Sequence, residues 1–120
     1  MKVLLLENIS AAAIEAFRAA GYEVETHKAA LEERELIEKV RAVSLLGVRS
    51  KTRITAPVLT SAEKLVAVGA FCIGVDKIDQ KAASERGIAV FNDPHSNSRS
   101  VAELVMGEII MLLQIGRAHV

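Results

Sequence analysis

At 120 residues, 51% of them hydrophobic and 25% charged, the chain has the length and composition of one compact domain with a large core, which excludes an intrinsically disordered segment. Fifteen basic residues balance fifteen acidic ones, so no global field draws the protein to nucleic acid or to an anionic membrane, and any anion site must be a local cluster. The single cysteine, Cys72, has no internal disulfide partner, and the apolar run in MKVLLLENIS is too short for a signal peptide or a membrane span, so the expected compartment is the cytoplasm.

Short apolar runs alternate with amphipathic stretches along the chain. KVLLLE reads as a strand, SAAAIEAFRAAG as a helix capped by Ser10 and closed by Gly21, YEVETH as a strand, LEERELIEKVRA as a helix and VSLLGV as a strand. There follow a short helix in APVLTSAE, a strand in KLVAVG, a helix in KIDQKAASERG that ends at Gly87, and a strand in IAVFN. Strands this short and apolar are expected to be buried on both faces beneath two helix layers. The expected fold is α/β: a flavodoxin-like, doubly wound, parallel five-stranded sheet in three layers.

A last helix is expected from about Ser100, which precedes Glu103 at capping-box spacing, to Gln114. Val101, Leu104, Val105, Ile109 and Leu112 form one apolar stripe on it, and Met106, Ile110 and Leu113 form another. A sheet face covers only one of them, so a homodimer built on this helix is expected.

In an open parallel sheet, ligands bind beyond the carboxyl ends of the strands. After the third strand, VRSKTRI places Arg49, Lys51 and Arg53 within five residues, with Ser50 and Thr52 between them. This is either a clamp for phosphate or carboxylate, or a positive loop that only faces water. After the fourth strand, in GAFCIGVDKID, Gly69 and Gly74 either expose main-chain N–H groups to a small anion or are ordinary turn glycines. Cys72 reads as a small buried hydrophobe without a catalytic role. After the fifth, NDPHSNSRSVAE clusters Asn92, Asn97, Ser98 and Arg99 ahead of a helix N-terminus, a place for polar ligand groups or simply a capped loop. His95 has no carboxylate at a recognisable spacing to orient it as a base.

No G-x-G-x-x-G follows any strand, and the sequence contains no P-loop, no metal-ligand spacing and no acidic pair after the first strand. No catalytic residue and no metal site are therefore assigned.

GVRSKTRIT, EKLVAVGAFCIGVDKIDQKAASERGIAVFNDP and SNSRSVAELVMGEIIMLL resemble consecutive blocks of the N-terminal part of bacterial D-3-phosphoglycerate dehydrogenases, a branch of the D-isomer-specific 2-hydroxyacid dehydrogenase family. The resemblance is colinear from about Lys2 to Gln114. It implies that Arg49, Ser50 and Lys51 contact the phosphate and carboxylate end of the substrate, with Lys51 where close relatives often carry arginine. It further implies that Ile73 and Gly74 offer backbone donors to the substrate carboxylate, and that Asn97, Ser100, Val101 and Glu103 lie at the hinge near the nicotinamide cofactor. The complete enzymes oxidise 3-phosphoglycerate at its 2-hydroxyl with NAD, a step of serine biosynthesis. The catalytic arginine, glutamate and histidine of that family match nothing in this sequence, so no cofactor is expected on this chain and the chain alone is expected to be inactive.

The implied division is a substrate-binding domain over 1–97, a hinge and helix over 98–114 leading to an NAD domain, and a tail over 115–120. IGRAHV is also the translation of one frame of a widely used short-read sequencing adapter, whose next triplet is a stop. Residues 115–120 are thus expected to be adapter-derived, and the chain a truncated fragment whose small anionic substrate binds weakly. Two other readings stand beside this one: a stand-alone flavodoxin-like ligand-binding or interaction module without catalysis, and a dehydrogenase for another 2-hydroxy acid, against which the cation cluster argues.

Overall fold

The computed structural model describes residues 1–71 and 75–92. Within them five strands alternate with four α-helices: β1 (Lys2–Leu5), α1 (Ala11–Ala19), β2 (Glu23–Thr26), α2 (Glu33–Lys39), β3 (Leu45–Val48), α3 (Ala56–Ser61), β4 (Ala67–Ala70), α4 (Gln80–Glu85) and β5 (Ala89–Asn92). All pairings are parallel and the strand order is β2-β1-β3-β4-β5. This is the flavodoxin-like doubly wound order expected from the sequence.

Local chemistry sets the helix ends. The Ser10 hydroxyl accepts from the Ala13 N–H at 3.4 Å and caps α1, which stops before Gly21, a residue at φ 91° where a side chain would be strained. Glu33 and Glu35 in the first turn of α2, and Lys39 in its last, complement the helix dipole. Beyond α2 the chain tightens into a 3-10 turn over Val40–Ala42.

The period of two along the strands divides the core into two layers. Leu4, Leu46 and Val68 face Leu36 of α2, Val58 and Leu59 of α3 and Ala83 of α4. Val3, Leu5 and Leu45 face the opposite way, onto Ala13 and Phe17 of α1 and onto Tyr22. The sheet thus lies between α1 on one side and α2, α3 and α4 on the other.

Three expectations need correction. The edge strands are not buried on both faces: Glu23 and Thr26 of β2 are exposed and all of β5 is half-buried, because each has a neighbour on one side only. β4 begins at Ala67 rather than Lys64, because Glu63 and Lys64 form a turn ahead of it. The helix expected in KIDQKAASERG begins only at Gln80: Ile78 is drawn into a bridge with Ile54, and the Asp79 carboxylate caps the helix by accepting from the Ala82 N–H at 3.0 Å. Among the described residues no helix is long and apolar enough to cross a membrane. The helix expected after Ser100, with its two stripes, lies outside the described residues.

Gly47 sits in β3 between Leu45 and the loop that follows, where a Cβ would come within 2.5 Å of Leu5 Cδ2, 3.1 Å of Phe71 Cε2 and 3.3 Å of Ile9 Cδ1. Gly47→Ala is expected to lower unfolding stability by about 2 kcal/mol, the usual cost of an extra methyl in a filled core, measured by urea denaturation. An unchanged midpoint would show that Leu5 moves aside without cost.

Candidate anion site at the sheet switch point

β1 is connected onward to β2 on one side, and the chain then crosses to β3 on the other, so the strand order reverses between β1 and β3. The crevice outside their carboxyl ends is where such a sheet accepts ligands. Two short segments meet there: residues 7–8 after β1 and residues 49–52 after β3.

The Leu6 N–H donates to the Gly47 carbonyl at 2.9 Å, extending the β1–β3 pairing by one residue. The chain then turns through Glu7 and Asn8, both in the left-handed region at φ 67° and 57°. For Asn this is a tolerated conformation; for Glu it is uncommon and requires support from its surroundings. The support comes from two directions. The Asn8 N–H donates to the His27 carbonyl at 3.1 Å, and the Glu7 N–H makes a longer contact of 3.4 Å with the Ala29 carbonyl. On the other side the Glu7 carboxylate faces the loop after β3. Its Oε2 accepts from the Arg49 N–H at 2.8 Å, from the Thr52 N–H at 3.1 Å and from the Thr52 hydroxyl at 2.8 Å, while Oε1 accepts from the Lys51 N–H at 2.8 Å.

Glu7 is only 7% exposed and Thr52 1%. Burial alone pushes the Glu7 carboxyl up, but the donors from Arg49, Lys51 and Thr52 together outweigh it and hold the group below its ordinary value. With Thr52 turned inward, its neighbours Arg49, Ser50 and Lys51 are exposed. An open cavity of about 540 Å³ lies over them, lined by Glu7, Asn8, Lys28, Ala29, Ala30, Arg49, Ser50 and Lys51.

Of the three cations expected to cluster, the structure brings Arg49 and Lys51 to this cavity and leaves Arg53 off it, on the exposed side of the alternation between buried Thr52 and buried Ile54. In its place stands Lys28, from the segment after β2. Among the described residues, none of Lys28, Arg49 and Lys51 forms an ion pair. Ser50 adds a hydroxyl beside them. Three unpaired cations and a hydroxyl around one cavity suit a doubly charged oxyanion. Gly69 takes no part: it lies inside β4, opposite Gly47 in the ladder. Ile73, Gly74, Asn97, Ser100, Val101 and Glu103 lie outside the described residues, as do Cys72 and His95.

Sequence reasoning missed Glu7 and Lys28. Lys28 was open to discovery by the rule that loops after strands carry ligands. Glu7 was hidden as the apparent last residue of the strand KVLLLE.

A second carboxylate steadies the segment that carries Lys28. Glu25 in β2 lies 2.7 Å from His27 Nε2, 3.0 Å from Lys39 Nζ and 3.1 Å from Lys2 Nζ, so β1, β2 and α2 converge on one charge. The His27 contact first, and then Lys39 and Lys2, hold its carboxyl at about 2, well below the usual range. A carboxyl depressed by folding adds stability above its unfolded pKa and loses it as pH falls through the folded value. Stability is therefore expected to decline from the ordinary glutamate range down to about pH 2, and Glu25→Gln to flatten that decline, measured by urea denaturation at stepped pH. An identical acid limb in the variant would show that the cluster is screened by solvent.

Among the described residues no cluster of His, Cys, Asp or Glu is placed to hold a metal. Nor do they fit a dinucleotide. The β1–α1 turn, where a glycine-rich fingerprint would present N–H groups to a pyrophosphate, instead carries the Glu7 carboxylate.

The profile of the D-isomer specific 2-hydroxyacid dehydrogenase catalytic domain matches residues 3–111. The chain belongs to the D-isomer-specific 2-hydroxyacid dehydrogenase family. It is 58% identical over 112 residues to D-3-phosphoglycerate dehydrogenase 2 of Saccharomyces cerevisiae, covering 93% of this chain and 24% of that protein. With D-3-phosphoglycerate dehydrogenase of Escherichia coli K12 it shares 51% identity over 115 residues, covering 95% of this chain and 28% of the other. The chain thus spans about a quarter of the length of these curated relatives. Among solved structures, the NAD+-bound 3-phosphoglycerate dehydrogenase of Entamoeba histolytica superposes with a TM-score of 0.70 at 28% identity, over 89% of this chain and 37% of the other. The family's catalytic domain accordingly includes the sheet and the switch-point crevice described above, and the resemblance is as high to a yeast member as to a bacterial one.

Proposed function

We propose that this chain is the substrate-binding domain of a D-3-phosphoglycerate dehydrogenase and that its share of the reaction is to hold the charged ends of 3-phosphoglycerate. The observation that carries the reading is the convergence of Lys28, Arg49 and Lys51, unpaired among the described residues, on the cavity at the β1–β3 switch point. In a chain of balanced charge, three free cations on one cavity stabilise a ligand that brings its own negative charge. The Arg49 guanidinium offers two parallel donors to an oxyanion, Lys28 and Lys51 act as point charges, and the Ser50 hydroxyl donates alongside them. The identity to phosphoglycerate dehydrogenases supports a phosphorylated substrate over a plain 2-hydroxy acid.

On this reading the described residues bind and orient, and none of them moves a proton or a hydride. Oxidation of the 2-hydroxyl by NAD belongs to the complete enzyme. Ile73 and Gly74 would receive the substrate carboxylate, and Asn97, Ser100, Val101 and Glu103 would lie at the hinge near the nicotinamide. A homodimer through the helix after Ser100 and a cytoplasmic location belong to the same proposal.

This chain by itself is expected to show no NAD-linked turnover of 3-phosphoglycerate, and turnover that Arg49→Ala abolishes would overturn that expectation. Titration followed by amide NMR is expected to show 3-phosphoglycerate binding in the millimolar range, with shifts at residues 28 and 49–51. Arg49→Ala should weaken it about tenfold or more, the loss of a charge-assisted hydrogen-bonded pair. D-lactate binding as tightly as 3-phosphoglycerate would contradict the phosphate reading, and shifts confined to other surfaces would contradict the site.

A further inference from the structure

The loop that carries Arg49, Ser50 and Lys51 has no regular secondary structure, yet three of its four backbone N–H groups are spoken for. Those of Arg49, Lys51 and Thr52 all point at the Glu7 carboxylate, with the Thr52 hydroxyl as a fourth donor. A loop with its amides turned inward must turn its alternate side chains outward. We propose that Glu7 is the positioning residue of the anion site: its buried carboxylate stands where an anion would otherwise take the loop's amides, and so commits recognition to the side chains of Arg49, Lys51 and Lys28. This rests on the anion-site reading above and deepens it, because it states which donors the ligand receives and which it does not.

Three features support the assignment. Glu7 holds a left-handed conformation that its residue type disfavours, and such conformations persist where the surroundings over-determine them. The residue is 7% exposed, and its carboxylate receives four donors on two oxygens, a set that only an ionised carboxylate accepts in full. The same residue lines the cavity with the three cations, so their repulsion is offset from within the site. Glutamine cannot substitute, because its NH2 group would meet an N–H donor from at least one side. Aspartate, one methylene shorter, reaches less far from β1 toward the loop.

The test uses sulfate as the probe, since it is a doubly charged oxyanion that remains ionised where ordinary carboxylic acids take up their proton. In the intact chain, the Glu7 carboxyl carbon and the amides of Arg49, Lys51 and Thr52 are expected to titrate together, with one midpoint below the ordinary glutamate range. Sulfate affinity is expected to rise about tenfold or more through that midpoint, because protonation releases the loop amides to the anion and removes a negative charge from the site. The groups facing Glu7 are the cations Arg49 and Lys51 from the loop and Lys28 from the segment after β2. Behind that segment stand His27 and Glu25, the latter titrating separately at about 2. Glu7→Gln should reproduce the gain in sulfate affinity at neutral pH while the β1–β3 amide pattern is retained. A folded Glu7→Gln with wild-type affinity, or affinity that stays flat while Glu7 protonates, overturns the proposal. Should Glu7→Gln fail to fold, the titration of the intact chain decides. Absence of sulfate binding in the intact chain counts against the anion-site reading itself; the three amides still report on Glu7, and their failure to titrate with it overturns this inference alone.

Discussion

A single carboxylate ties the two halves of the switch point together. Glu7 leaves the end of β1 in a left-handed turn and receives every inward-facing donor of the loop after β3. Holding Glu7 in that region costs on the order of 1–3 kcal/mol. Hydrogen bonds to an ionised group as buried as Glu7 are strong enough to offset it. Removal of the carboxylate would leave three N–H groups and a hydroxyl without their acceptor, which is why the loop's shape depends on a residue more than forty positions away in sequence.

The sheet delivers the remaining parts. Because β2 and β3 flank β1, the segments after all three strands open on one crevice, and Lys28 arrives from the β2 side while Arg49 and Lys51 arrive from the β3 side. The β2 side is an edge, with no neighbour beyond it, and the ion cluster of Glu25 with Lys2, His27 and Lys39 fastens it to β1 and α2. The His27 backbone then anchors Asn8, so the charge cluster and the anion cavity share one turn. Both carboxylates thus have a positional role, while the cations on the cavity stay unpaired among the described residues and open to a ligand.

Much of this was legible in the sequence. Alternating apolar runs and amphipathic stretches specify the five strands and their helices, since the period of two and the period of 3.6 are imposed by backbone geometry. Ser10 and Gly21 mark the ends of α1 because capping and positive φ have direct residue signatures. What depends on tertiary contact was hidden. Nothing in KVLLLEN says that Glu7 turns left-handed, because the acceptor role that supports it is defined by donors in a distant loop. Arg53 resembled its neighbours Arg49 and Lys51 by composition, yet the alternation fixed by buried Thr52 and Ile54 takes it off the cavity. Ile78 looked like a helical residue until the bridge to Ile54 claimed it and left Asp79 as the cap.

The central claim is that the ligand phosphate meets side chains while the loop amides stay on Glu7. A crystal structure of the chain with 3-phosphoglycerate tests it most directly. The account predicts a phosphate within hydrogen-bond distance of Arg49 and Lys51 and close to Lys28, with the N–H groups of Arg49, Lys51 and Thr52 still donating to the Glu7 carboxylate. A phosphate bound by those same amides, with Glu7 displaced toward solvent, would contradict it.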